Sequence, residues 1–308
     1  MSSAPSQPLV SVIMPFRQDV ATIADAVRSV ISQTWPSIEL VLCDDGSTDG
    51  SLAVARDAIP ADALLSVQIV ATGGRGAAAA RNAGMSTAHG EFLAFLDADD
   101  LWMPEKVNTC VQRMLADRLD LLGHSEEWRP LGGEGRVVHY SALVDRRVPL
   151  AVSVFRQNPF STSATVMRAD LVARAGLFDE TLPSAEDYDY WLRLAVLPGV
   201  RAGFIDTVLG VYTLRAGSES SRVDARHEAM LAIGDRFIDR IRALSPSPRT
   251  ELWRYRSRVR IASGVRYVKA GRALLGAGLM AAGLLQWPFR PELARWARAR
   301  VGRQEVAA

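Results

Sequence analysis

The residues of this chain best suited to chemistry are acidic, and they fall in three groups. In DADD, residues 97–100, Asp97 and Asp99 are two apart, and an extended backbone turns both carboxylates to the same side. Two hard oxygen donors so placed suit Mg2+ or Mn2+, held partly by the protein and partly by the phosphates of a substrate. A bound ion of that kind neutralises charge on a departing diphosphate. The plain structural alternative is an acidic turn whose Asp100 favours the start of a following helix. A helix-loop-helix calcium loop is excluded, because Trp102 stands where that loop needs glycine and Asn108 where it needs glutamate.

The second group is DDGSTDG, residues 44–50. A carboxylate here can accept the N–H of a nucleobase, Gly46 permits close chain approach, and Thr48 or Asp49 can cap a helix. Taken alone, Asp44 and Asp45 read equally well as turn residues. The third group is AEDYDYWLRLA, residues 185–195, where Glu186, Asp187 and Asp189 open a helix whose Trp191, Leu192 and Leu194 look buried. Acidic residues are favoured at a helix N-terminus whatever their function. Between the first two strand-end clusters, GGRGAAAARNAG, residues 73–84, contains G-x-G-x-x-A. That spacing belongs to dinucleotide fingerprints when it follows a first strand, whereas here it follows a third. Arg81, within it, suits either a diphosphate contact or a structural salt bridge.

Elements that alternate along the chain must position these groups. The runs LVSVIMPF, IELVLC, VQIVA and EFLAFL are too continuous for half-exposed strands, and helix-period segments separate them. That pattern predicts a parallel sheet covered by helices on both faces, with Asp19 capping a first helix whose stripe is Val20, Ile23, Val27, Val30 and Ile31. Ligands of such sheets bind at the carboxyl ends of the strands, where DDGSTDG and DADD stand. Pro104 suits the first turn of a helix over 104–116. Residues 119–140 suggest strands and an excursion on the acceptor side, 161–168 a strand, and 169–175 and 185–196 helices. From about Arg222 the period is helical, with interruptions near 245–248 and at Pro288 and Pro291. Residues 1–220 therefore read as the catalytic domain and 221–308 as a helical region.

Composition is that of an ordinary globular protein, with 48% apolar and 23% charged residues, which excludes fibrous and disordered classes. The net charge of +2 hides an asymmetry: before Arg215 there are 17 basic and 26 acidic residues, and from Arg215 onward 19 and 8. Collected carboxylates suit a divalent cation, while an Arg-rich tail suits an anionic membrane surface. Leu293 and Trp296, beside Arg295, Arg298 and Arg300, would lie on such a surface or else on the catalytic domain. Nothing points to nucleic acid. Cys43 and Cys110 lack metal or disulfide spacing, and MSSAPSQPLV lacks the basic start of a signal peptide. The longest apolar stretch, 273–285, falls short of the roughly 20 residues that span a bilayer. The expectation is a cytoplasmic protein with peripheral contact at the inner face of the membrane.

With VSVIMP, SQTWPSIELVLCDDGSTDGS, ARNAGMSTAHGEFLAFLDADDLWMPEKV and FDETLPSAEDYDYWLRLA in this order, the chain resembles family-2 glycosyltransferases of the GT-A fold over roughly residues 8–220. The resemblance implies an α/β fold, a mixed, mostly parallel sheet flanked by helices, with a C-terminal helical extension. It also implies an inverting transfer from a nucleotide diphosphate sugar, a UDP-sugar first, to a glycan or lipid-linked acceptor, with Mg2+ or Mn2+. By the same resemblance, Pro15 and Arg17 would line the nucleotide pocket, Asp45 would recognise the base, and Arg81 would lie near the nucleotide or diphosphate. Asp97 would contact the ribose or a metal-bound water and Asp99 would ligate the metal. Asp187 would be the catalytic base, with Glu186 and Trp102 on the acceptor side.

Three departures qualify the match. Arg17 and Gln18 replace an aromatic residue and Asn, so base stacking would come from a guanidinium plane or be absent. In YTLRAGSES, residues 212–220, Thr213 and Arg215 replace the family's Arg and His, and Arg215 could pair with phosphate oxygens. The Q-x-x-R-W of processive members is not found, which implies one sugar added per encounter. The histidines His89, His124, His139 and His227 show no metal-ligand spacing and read as structural or exposed. The competing functions are a nucleotide- or glycan-binding protein without turnover, against which Asp99 and Asp187 together argue, and a sugar nucleotidyltransferase. The latter would need a Gly-rich basic loop where MPFRQD stands.

Overall fold

The computed structural model describes residues 7–130, 133–215 and 223–286. The chain runs β1 (Val10–Phe16), α1 (Ile23–Ile31), β2 (Ile38–Asp44), α2 (Ser51–Asp57), β3 (Ser66–Ala71), α3 (Ala77–Thr87) and β4 (Phe92–Phe95). It continues through β5 (Leu101–Trp102), α4 (Lys106–Asp117), β6 (Leu121–Pro130), β7 (Arg136–Val138), a 3-10 turn (Tyr140–Leu143), α5 (Leu150–Arg156) and β8 (Thr165–Arg168). Then follow α6 (Leu171–Ala175), α7 (Glu186–Ala195), β9 (Ala202–Leu214), α8 (Val223–Leu244), α9 (Pro248–Lys269) and α10 (Ala273–Leu285). Two compact units result. The first comprises residues 1–144, 159–180 and 193–213, and the second residues 145–158, 181–192 and 214–308.

The first unit is built on a sheet of order β3-β2-β1-β4-β8-β6-β9-β5, with β7 on β6. β1 runs parallel to both β2 and β4, and β2 parallel to β3. Every residue of β1 and β2 is buried, which is why their sequences do not alternate. Val12, Met14, Leu40 and Leu42 pack against Val27 and Val30 of α1 in one core. Each such aliphatic side chain contributes on the order of 2 kcal/mol by leaving water.

The other half of the sheet is antiparallel: β8 pairs so with β4 and with β6, and β5 with β9. β5 and the long β9 had no clear signature in the sequence, since β9 is only partly buried along most of its length. α1 also opens later than expected, at Ile23, with Val20 42% exposed. The cause is local: Asp19 donates its backbone N–H to Ser51 and Val20 to Asp49, so residues 19–20 belong to the loop ahead of the helix.

The second unit draws in α5 and the start of α7, from within the stretch read as the catalytic domain. Their aromatic residues explain it. The Phe155 ring stacks 4.4 Å from that of Tyr255 on α9, and Tyr188 donates its hydroxyl to the Phe155 carbonyl at 2.9 Å. Two buried carboxylates are ion-paired here, Glu251 with Arg156 at 2.5 Å and Asp189 with Arg236 at 2.7 Å. The expected break near 245–248 is present between α8 and α9. Pro288, Pro291, Leu293, Arg295, Trp296, Arg298 and Arg300 lie outside the described residues, as does the end of YTLRAGSES. Among the described residues no helix is long and apolar enough to cross a membrane.

Candidate functional site

The loops after β1, β2 and β3 are tied into one wall by Asp45 and Gln18. Asp45 is 3% exposed and accepts the Thr72 hydroxyl and the backbone N–H groups of Arg75 and Gly76, each at 2.8 Å. The Arg17 guanidinium stands 3.8 Å from the Asp45 oxygen that takes the Gly76 N–H and is itself more than half exposed. Gly46 lies against this loop, where an added Cβ would come within 3.1 Å of the Gly74 nitrogen. G-x-G-x-x-A is thereby accounted for: the N–H groups of Arg75 and Gly76, which a phosphate could take in a dinucleotide fold, are given to Asp45. Gln18, held at φ 58°, accepts the Thr48 N–H at 2.6 Å and closes the wall from the first loop. Pro15 is buried inside β1, opposite Cys43.

The second wall is the DADD segment after β4. Asp97 and Asp99 are partly exposed, whereas Ala98 and Asp100 are buried. Arg81, 5% exposed, reaches from α3 to Asp97, with which it forms an ion pair at 2.8 Å. Asp100 accepts the Ser163 hydroxyl at 2.5 Å and the Thr213 N–H at 2.8 Å, while Ser163 accepts the N–H of Asp97 at 3.1 Å. Thr213 thus serves through its backbone, and its side-chain departure from the family pattern leaves that bond intact. Trp102, expected on the acceptor side, is 4% exposed, donates its indole N–H to the Ser163 carbonyl at 2.8 Å, and carries the Lys106 ammonium 3.4 Å over its ring. Its ring is a packing element of this wall.

Negative charge is crowded here. Burial, with Asp99, Glu126 and Asp97 as negative neighbours, pushes Asp100 well above the ordinary carboxylate range. Burial likewise raises Glu126 to about 7, against the Tyr140 hydroxyl it accepts at 2.6 Å. A divalent cation fits this donor set, since it would relieve the repulsion. Among the described residues no three acidic, His or Cys side chains converge to hold one alone. Mg2+ and Mn2+ suit such partial sites, taking one or two carboxylates and completing their shell with phosphate and water.

Glu186 and Asp187 open α7 in the second unit, directly after Ala185, which is held at φ 62° despite its Cβ. Strain of this kind, about 1–3 kcal/mol, gathers at functional positions. The three acids differ in surroundings: Glu186 is buried, Asp189 is buried and paired with Arg236, and Asp187 is partly exposed. Asn82 and Ser163 went unnoticed in the sequence, where Gln18 stood out only as a departure from the family pattern. Asn82 exchanges two hydrogen bonds with the backbone of Phe178 and a third with Glu180, which fixes the FDE segment against α3. The ARNAG run was the available signal for it. The histidines are structural or exposed: His89 meets Glu39 with its side chain largely exposed, His139 meets Ser125, His227 meets Ser263, and His124 is fully buried.

The sequence profile of Glycosyl transferase family 2 matches residues 11–139. The UDP-Glc:alpha-D-GlcNAc-diphosphoundecaprenol beta-1,3-glucosyltransferase WfgD of Escherichia coli is 35% identical over 203 residues, covering 64% of this chain and 75% of that protein. Some other curated relatives are matched over less than half their length. Staphylococcus aureus TarS 1–349, solved in complex with UDP-GlcNAc, is similar with a TM-score of 0.64 and 18% identity, over 92% of this chain and 93% of that one. Mannosyltransferase PcManGT from Pyrobaculum calidifontis, solved with GDP-Man and Mn2+, gives a TM-score of 0.64 at 20% identity, over 96% and 81%. These two speak for the fold. With acidic clusters at the ends of β2 and β4 and a relative matched over most of its length, the chain belongs to glycosyl transferase family 2 and is a glycosyltransferase of GT-A fold.

Proposed function

We propose that this glycosyltransferase moves a sugar from a nucleoside diphosphate sugar, with uridine diphosphate as the carrier, to a hydroxyl of a lipid-linked or glycan acceptor, inverting the anomeric centre. The observation that carries this is the acidic edge at the carboxyl ends of the parallel strands, where Asp97 and Asp99 stay accessible while Asp100 and Arg81 hold their segment. WfgD acts by its name on a UDP-sugar and a diphosphoundecaprenol acceptor, and TarS binds UDP-GlcNAc, which supports the choice of carrier and acceptor.

In this proposal Arg17 and Pro15 border the nucleotide, and Asp45 shapes the base pocket by holding residues 72–76. Asp99 and Asp97 would hold Mg2+ or Mn2+, which supplies charge neutralisation for the diphosphate when bound. The complex of PcManGT with Mn2+ supports a metal of that class. Arg81 acts through Asp97, holding its carboxylate in place by the ion pair at 2.8 Å. Asp187 removes the acceptor proton as the hydroxyl attacks the anomeric carbon opposite the leaving diphosphate, and Glu186 orients acceptor or helix. Adjacent helical residues point about 100° apart, so one of the two faces the reacting atoms. The free cysteines Cys43 and Cys110, both buried, agree with work in a reducing cytoplasm at the inner face of a membrane that presents the acceptor.

Donor hydrolysis measured over a panel of UDP-, GDP- and TDP-sugars, with Mn2+ and with EDTA, tests this. Turnover of a UDP-sugar that EDTA abolishes is expected. Turnover of none would overturn the proposal.

A further inference from the structure

Within the second unit, α10 differs from every other described helix in carrying no charged or polar-headed side chain along its length, Ala273–Leu285. Its inner face is made of small residues. A Cβ on Gly276 would meet the Gly264 carbonyl at 2.5 Å and one on Gly283 the Ser257 carbonyl at 2.9 Å, so α10 lies on α9 at backbone distance. Ser257 donates its hydroxyl to Gly283. The opposite face is exposed and apolar. Leu274 and Leu285 are 92% and 88% exposed and share one helical stripe with Gly278 and Ala281, while Leu275 and Leu284 flank it. A helix bordering water normally turns polar residues outward, and this one turns leucines.

Its surroundings are basic. α9 carries seven basic residues against Glu251 alone, and Glu251 is buried against Arg156. Exposed Lys269 stands at the start of α10 beside half-exposed Arg272, which is ion-paired with Asp224 at 2.7 Å, and Arg260 meets Gln286 at its end. Trp253, 61% exposed, lies one turn before Ser257 and so at the same end. A helix of this length, about 20 Å, is too short to span a bilayer but can lie in its surface plane.

We infer that the α9–α10 hairpin docks this chain on an anionic lipid surface, with Leu274, Leu275, Leu284 and Leu285 entering the acyl boundary and the basic ends of α10 meeting lipid phosphates. Charge selects this occupant over a second copy of the chain, because isologous pairing on the leucine face would set the basic ends of one α10, with Lys269 and Arg272 at its start and Arg260 at its end, beside those of the other. The inference deepens the proposed function by supplying the surface on which a lipid-linked acceptor is met, and rests on that reading only for its purpose.

Flotation of the full chain with vesicles of phosphatidylglycerol and phosphatidylcholine, and of phosphatidylcholine alone, tests it. Binding to the anionic vesicles is expected, roughly tenfold weaker on the neutral ones. The double variant Leu274→Glu/Leu285→Glu should keep its melting temperature and lose binding by more than about tenfold. Equal binding by the variant would overturn the inference. So would a wild-type chain that ignores anionic vesicles and forms a dimer by light scattering that the variant dissolves. Donor hydrolysis in vesicle-free buffer should be the same for both proteins. Its absence from the wild type would remove the glycosyl transfer proposed above and leave vesicle binding to be judged separately.

Discussion

Ser163 donates its hydroxyl to Asp100 at 2.5 Å and accepts the backbone N–H of Asp97 at 3.1 Å, so one serine fixes both ends of the DADD turn. Asp100 completes the clamp by accepting the Thr213 N–H from β9. This buried residue touches neither donor nor ion in our proposal; it sets where Asp97 and Asp99 stand.

Asp100→Asn removes one acceptor oxygen from that clamp while keeping its shape. Mn2+-supported binding of uridine diphosphate should weaken by about 10- to 100-fold, the usual effect of disturbing residues behind a metal ligand. Calorimetry with Mn2+ measures it, and Ser163→Ala should move affinity the same way. A drop in melting temperature with undiminished Mn2+ affinity would assign Asp100 a purely structural role.

Asp99→Ala should abolish transfer and metal-supported nucleotide binding while leaving the melting temperature nearly unchanged, because the Asp99 side chain is partly exposed at a strand end. Titrating uridine diphosphate with and without Mn2+ decides the matter. A variant as metal-dependent as the wild type would remove Asp99 from the ion's shell.

Asp187→Asn preserves size and removes basicity. A positioned general base is typically worth about 10² to 10⁴ in rate, so kcat should fall by that order with donor affinity almost unaltered. Near-normal turnover in Asp187→Asn alongside a collapse in Glu186→Gln would exchange the two roles.

Lys106 is fully buried, its ammonium lies over the Trp102 ring, and no hydrogen-bond partner faces its Nζ among the described residues. Burial lowers its pKa from 10.5 to about 7, with Cys110 and Glu126 opposing. Below the folded value the lysine is protonated whether folded or not, and the cost of burying its charge is fully present. Between the two values only the unfolded chain holds the proton, and above 10.5 neither does, so the cost fades across that window. Lys106→Met should therefore stabilise the protein by about 2–4 kcal/mol at neutral pH, and the gain should shrink as pH rises toward the ordinary lysine range. Melting curves at both conditions check the sign. A gain that grows with pH would contradict it.

The parallel half of the sheet was legible because β1 and β2 are buried on both faces, and such strands must be written as unbroken apolar runs. The acidic segments stood out for a related reason: they close unbroken apolar strands, at the edge where ligands of such sheets bind, although Asp44 and Asp45 taken alone read equally well as turn residues. The antiparallel half was not legible, since β9 borders both core and solvent and carries no regular period. Which acid does what was also beyond local pattern. Asp97, Asp99 and Asp100 differ by a residue or two in the chain, yet Ser163 and Thr213, 63 and 113 residues from Asp100, bury the third and leave the others accessible. Trp102 followed the same rule, its ring enclosed by Ser163 and Lys106. Periodicity and residue type record how much of an element is buried; which polar atom finds which partner depends on contacts between distant segments, and those exist only once the chain has folded.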